Sequence, residues 1–126
     1  MKIGDFGLAI KKRNKMRTTF CGTPNYMAPE IVAQKGHGFE VDIWSAGCIL
    51  YILLFGRPPF QTVTVKKTYK KIKQGQYIIP EGRCGPSAHH LITSMLHAIS
   101  SKRIRIEEIL KHDFFTKGFL PDQLSR

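Results

Sequence analysis

Acidic residues are scarce in this chain: nine Asp and Glu stand against 20 Lys and Arg among 126 residues, a formal net charge of +11. That balance favours partners carrying negative charge, whether phosphate, nucleic acid or an acidic peptide, and does not choose among them. Cysteine is scarce too. Cys21, Cys48 and Cys84 are odd in number, far apart and form no C-x-x-C pair, so the pattern points to neither a disulfide framework nor a zinc site. They read as reduced packing thiols of a cytosolic or nuclear protein. No long apolar run occurs: the longest, residues 41–55, is interrupted by Asp42, Ser45 and Gly47, whereas a membrane span needs about 20 predominantly apolar residues. The N-terminus lacks the apolar region and small-residue cleavage site of a secretory signal. Repeats and low-complexity segments are missing as well.

What is present is the composition of a folded domain. Hydrophobic residues make up 42% and charged residues 23%, far from the signature of disorder, and the length allows at most one ordinary domain. Met1 to Gly4 reads as the end of a short strand leading into a loop at residues 5–7. Residues 11–19 are polar, strongly basic and without period, which predicts a surface loop. Pro24 and Pro29 interrupt any regular element, after which residues 30–34 suit a brief helix stopped by the turn Lys35-Gly36-His37-Gly38.

Residues 40–55 are apolar on nearly every face, the pattern of a helix surrounded by protein, and Gly56 with Pro58-Pro59 ends it. From residue 64 or 65 to 74, Val65, Tyr69 and Ile72 recur at helical spacing among Lys66, Lys67, Lys70, Lys71 and Lys73, an amphipathic helix capped by Gly75. Residues 80–86 read as loop. Ser87 is the expected N-cap of a helix to about residue 97 with Leu91, Ile92, Met95 and Leu96 inward, and Ile106, Ile109 and Leu110 mark a last helix over about 105–111. One short strand and five helical stretches make the expected fold mainly α.

The motifs narrow this further. Asp5-Phe6-Gly7 precedes Cys21-Gly22-Thr23-Pro24-Asn25-Tyr26 and Ala28-Pro29-Glu30, an order that reads as a protein-kinase activation segment. Asp42-Ile43-Trp44-Ser45-Ala46-Gly47-Cys48 resembles the central helix of a serine/threonine kinase's large lobe, and Gly56-Arg57-Pro58-Pro59-Phe60 the turn after it. Gly36-His37, Thr68-Tyr69 and the tail His112-Asp113-Phe114-Phe115 with Gly118-Phe119-Leu120-Pro121 make the whole similar to a polo-like kinase. The resemblance implies a partial kinase C-lobe over residues 1–115, followed by a tail or linker start over 116–126.

That resemblance also implies roles for individual residues. Asp5 matches the carboxylate that binds Mg²⁺ bridging the ATP phosphates, and Phe6 and Gly7 match the packing residue and hinge beside it. Thr19 matches the activating phosphorylation site, and Thr23 with Pro24 the floor of the substrate pocket. Glu30 and Arg103 are the expected long-range ion pair, worth about 3–5 kcal/mol if broken from one side. Asp42 matches a carboxylate that accepts backbone N–H bonds from the catalytic loop, so without that loop its burial in an apolar helix is expected to be costly. Where the family shows Asp-Pro and Arg-Pro, this chain has Ile99-Ser100 and Arg103-Ile104; losing each proline frees unfolded-state entropy of about 0.4–1 kcal/mol.

Phosphoryl transfer further needs a Gly-rich loop, a strand Lys, and an Asp and Asn in the catalytic loop, and residues 1–126 hold none of these motifs. The expectation is therefore no catalytic residue in this chain and no activity from it alone, with Mg²⁺ and ATP belonging to a parent enzyme that acts on protein Ser and Thr. The alternative is a noncatalytic binding module that docks substrates or partners, or competes with an intact kinase. Expected partners are protein substrates, with acidic residues near the target, and a missing kinase portion or other protein covering exposed apolar surface. No membrane or nucleic-acid partner is expected: the Lys66 to Lys73 cluster reads as a solvated helix face, and His37, His89, His90, His97 and His112 as surface or capping residues. Localisation is expected to be cytoplasmic or nuclear, and the family resemblance adds the centrosome or spindle.

Overall fold

The computed structural model describes residues 24–117. Within them the chain is helical: a 3-10 turn at Pro24–Tyr26, then α1 (Pro29–Val32), α2 (Glu40–Phe55), α3 (Val65–Gln74), α4 (Pro86–Met95), a 3-10 turn at Ser100–Lys102, α5 (Ile106–Leu110) and α6 (Asp113–Thr116). The mainly α reading of the sequence therefore holds. The expected strand at the N-terminus lies outside the described residues.

Helix α2 is the pivot. Trp44, Cys48 and Tyr51 are buried on it, and Met27, Ile31, Phe60, Ile72, Ile92 and Leu96 close around them as one cluster. A second cluster of Leu91, Met95 and Ile109 lies beside it, and Leu50 packs against both. Trp44 and Phe60 stack with ring centroids 5.1 Å apart and planes 12° from parallel, so the turn after α2 folds back onto the helix that precedes it. Gly47 allows α4 to approach: a Cβ built there would lie 2.9 Å from Met95 Cβ and 2.9 Å from Leu96 Cδ2.

Local signals explain the ends of the two longer helices. Gly56 takes φ 80° after α2 and Gly75 takes φ 62° after α3, left-handed conformations that cost glycine nothing. Thr64 caps α3 by accepting from Lys67 N–H at 3.2 Å. The one buried polar side chain on α3, Thr68, is bonded to Thr62 and Thr64, while all five lysines of that helix are exposed.

Several expectations are corrected. Helix α1 ends at Val32, and Gln34, not a glycine, adopts φ 55° as the chain turns. Helix α4 starts at Pro86 with Gly85 as its N-cap, because proline's fixed φ suits the first helical position and displaces Ser87 into the first turn. A short helix, α6, forms where only a tail was read; His112 caps it by accepting Phe114 N–H at Nδ1, 3.1 Å. Val65, Ile106 and Leu110, apolar residues that mark the expected helices by their spacing, are 55%, 54% and 70% exposed.

The largest correction concerns α2. Its apolar residues run around the whole circumference, yet Asp42, Ala46, Ile49 and Leu53 line one solvent-facing stripe, with Leu53 77% exposed. Asp42 is thus exposed, in the first turn of its helix. Its expected burial cost does not arise, and a carboxylate there complements the positive end of the helix dipole.

Candidate functional site

The most fully built polar site joins α1 to the turn before α5. Glu30 in the first turn of α1 and Arg103, 73 residues later, meet in a bidentate pair: Arg103 Nη1 donates to Glu30 Oε1 and Nη2 to Oε2, each at 2.7 Å. Arg103 Nη1 also donates to the carbonyl of Glu40 at 2.8 Å, and Nε to that of His97 at 2.8 Å. Its guanidinium carbon sits 5.1 Å from the centroid of the Trp44 ring. The Arg103 side chain is fully buried and that of Glu30 is 10% exposed, so the planar five-donor fork is matched almost completely by acceptors.

Arg103 is held in place without the two prolines that the resemblance led one to expect here. The Ser100–Lys102 turn is closed by Lys102 N–H to Ile99 O at 3.0 Å and Arg103 N–H to Ser100 O at 3.2 Å, and Ile104 N–H reaches Ser94 O on α4 at 3.0 Å. Backbone hydrogen bonds therefore orient the guanidinium. The Glu40 and His97 carbonyls and the Trp44 shelf were invisible to sequence reasoning, because each comes from a different segment.

The arrangement clamps; it offers no reactive group. Cys48, buried nearby, has its thiol pushed up from the ordinary 9.0 to about 12 by burial, an effect only partly offset by the positive charge of Arg103. It is a neutral packing thiol at physiological pH. Tyr77 is likewise pushed up to about 12, by burial first and then by Tyr51 and Cys48.

Of the other residues singled out in the sequence, Asp5, Phe6, Gly7, Thr19 and Thr23 lie outside the described residues. Pro24 opens the first 3-10 turn, and Ser45 Oγ on α2 ties that turn down by donating to Tyr26 O at 3.1 Å. Glu30 and Arg103 are brought together, whereas Asp42 stands apart on the exposed stripe. Among the described residues no group of three or more His, Cys, Asp or Glu side chains is placed to hold a metal ion. His90 Nδ1 and His112 Nε2 lie 2.7 Å apart with their rings stacked, linking α4 to the cap of α6.

One feature went unread in the sequence. Beyond the C-terminal ends of α2 and α3 lies a cleft of about 430 Å³, bounded by Tyr51, the Arg57-Pro58-Pro59 turn, Lys71 and the segment from Gln76 to Ile78. Gly56-Arg57-Pro58-Pro59 reads as a helix stop, and nothing in its composition says that a recess forms beside it.

Comparison with known proteins places this geometry in a family. A protein kinase domain model matches residues 1–115. The chain is 47% identical to serine/threonine-protein kinase PLK2 of Mus musculus over 127 residues, 99% of this chain and 18% of that protein. It is 50% identical over 126 residues to serine/threonine-protein kinase PLK1 of Xenopus laevis, covering 98% and 21%, and 47% identical over 125 residues to serine/threonine-protein kinase plk-2 of Caenorhabditis elegans, covering 98% and 20%. It thus spans about a fifth of the length of these relatives. With the family model covering residues 1–115, the chain belongs to the protein kinase domain family, and along nearly its whole length it is similar to polo-like serine/threonine kinases.

Proposed function

We propose that these residues serve a polo-like serine/threonine kinase as the activation segment and helical part of its C-lobe, and that the 126-residue chain by itself transfers no phosphate. The observation that carries this reading is the identity of 47–50% to polo-like kinases along nearly the whole chain, together with the lack of a Gly-rich loop, strand Lys and catalytic-loop motif in residues 1–126. In the parent enzyme Asp5 would ligate Mg²⁺ on ATP, Thr19 would take the activating phosphate, and Thr23 with Pro24 would floor the phosphoacceptor pocket. The Glu30–Arg103 clamp would anchor the end of the activation segment to the helical body. Substrates would be proteins, with acidic residues near the target Ser or Thr, suited to a chain at +11. The expected site of action is cytoplasm or nucleus, and by family resemblance the centrosome or spindle.

A second reading has its own support. Ile49 and Leu53 are 51% and 77% exposed on α2, an apolar stripe suited to being covered by protein. In a noncatalytic module that docks partners or competes with an intact kinase, this stripe would be the contact surface. Reading the transcript upstream of the Met1 codon separates the two. A continuous frame encoding a His-Arg-Asp loop and a Gly-rich loop supports the kinase reading; a stop codon close upstream supports the module and overturns it.

A further inference from the structure

We propose that the cleft beyond the ends of α2 and α3 is a docking site for an acidic peptide segment of a partner protein. Its two tyrosine walls are held by contacts within the fold. Tyr51 is fixed by its hydroxyl, which donates to Ile78 O at 2.6 Å. Tyr77 stands edge-on to Tyr51, centroids 6.3 Å apart, and to Phe60, at 5.5 Å. Pro58 and Pro59, which follow Gly56-Arg57, also line the cleft, with φ fixed by their rings. A preformed recess of about 430 Å³ takes side chains of a bound segment at small ordering cost.

Its charge selects the occupant. Arg57 and Lys71 line the cleft and, among the described residues, no Asp or Glu does. Both cations are exposed, and among the described residues neither has a carboxylate within ion-pair distance. The rest of the lining is proline, tyrosine, glutamine and isoleucine, which suits the apolar flanks of a peptide chain. Nucleic acid fits less well, because base recognition of this kind needs open aromatic faces, and Tyr51, 2% exposed, and Tyr77 are packed against each other and Phe60. A short run of carboxylates beside apolar residues satisfies both halves of the site.

The probe is a fluorescein-labelled peptide with a run of Glu flanked by Leu and Pro, titrated with the full chain and followed by anisotropy at low and at physiological salt. The double variant Arg57→Glu with Lys71→Glu should weaken binding by about tenfold or more. Lys66→Glu with Lys73→Glu makes the same change in net charge on exposed α3 positions outside the cleft, and should weaken it by less than about threefold. Equal losses in the two double variants would mean that net charge alone attracts the peptide, and would overturn the proposal. So would equal affinity for the Gln counterpart of the peptide, or tighter binding of single-stranded oligothymidine. Fluorescence of Trp44 verifies folding, and Arg57→Gln with Lys71→Gln replaces the charge-reversed pair if that pair unfolds.

Discussion

Replacing Glu30 by Gln leaves the Arg103 guanidinium, whose side chain is fully buried, without its counter-charge. Two hydrogen bonds of 2.7 Å are at stake. The Gln oxygen preserves one acceptor, but its NH₂ then points at an Nη donor, so one bond becomes a donor facing a donor. The Glu40 and His97 carbonyls still accept from Arg103 at 2.8 Å each, which lessens the loss without supplying charge. Breaking a buried pair from one side costs about 3–5 kcal/mol, against a total stability of about 5–15 kcal/mol for a domain. Urea unfolding followed by the fluorescence of Trp44 measures it directly, since Trp44 is the single tryptophan and lies beneath the guanidinium. With slopes of about 1–3 kcal/mol per molar urea, the midpoint should fall by about 1 M or more. Arg103→Lys keeps the charge and loses the fork, and should also destabilise by more than about 1 kcal/mol. Losses below about 1 kcal/mol in both variants would refute the reasoning, because the pair would then behave as an exposed one.

Other perturbations test other parts of the fold. Gly47→Ala places a methyl 2.9 Å from Met95 Cβ and Leu96 Cδ2 and should cost about 1–3 kcal/mol in urea unfolding by overpacking the α2–α4 contact. Gly56→Ala meets no atom within 4 Å, so only its φ of 80° counts, and the loss should be about 1–2 kcal/mol. Gln34→Gly relieves a φ of 55° and should raise the thermal midpoint; a lower midpoint contradicts that account of the turn. Cys48 and Tyr77 bind their protons more tightly in the folded state, each pushed up to about 12 from ordinary values of 9.0 and 10.0. Their contribution is fully present below pH 9 and is lost as pH rises toward 12, so stability should decline across that window. A Cys48→Ala variant should show a shallower decline. Ile49→Glu with Leu53→Glu should reduce self-association in light scattering while leaving the folded Trp44 signal intact.

Legibility in the sequence followed the strength of local constraints. Helices α2 and α3 were readable to the residue at their C-terminal ends because Gly56 and Gly75 stop them by backbone geometry that few other residues adopt. The start of α4 was misplaced because two rules competed, Ser87 as a cap and Pro86 as a first residue, and proline's fixed dihedral prevailed. Helix α6 has four residues, too few for periodicity to register. Asp42 was misread because a helix apolar all round gives no indication of which side faces solvent; only tertiary packing, with α4 against Gly47, exposes the Asp42 stripe. The partners Glu30 and Arg103 were legible only through family resemblance, since 73 residues separate them. The acceptors around them and the cleft at Arg57 and Lys71 depend on segments brought together by folding, which no local pattern encodes.

We propose that this chain, a member of the protein kinase domain family, transfers no phosphate by itself. Incubating the purified 126-residue chain with Mg²⁺, radiolabelled ATP and an acidic Ser/Thr protein such as casein tests it most directly. The account predicts incorporation no higher than that of the Asp5→Ala variant. Transfer well above background that Asp5→Ala abolishes would contradict it.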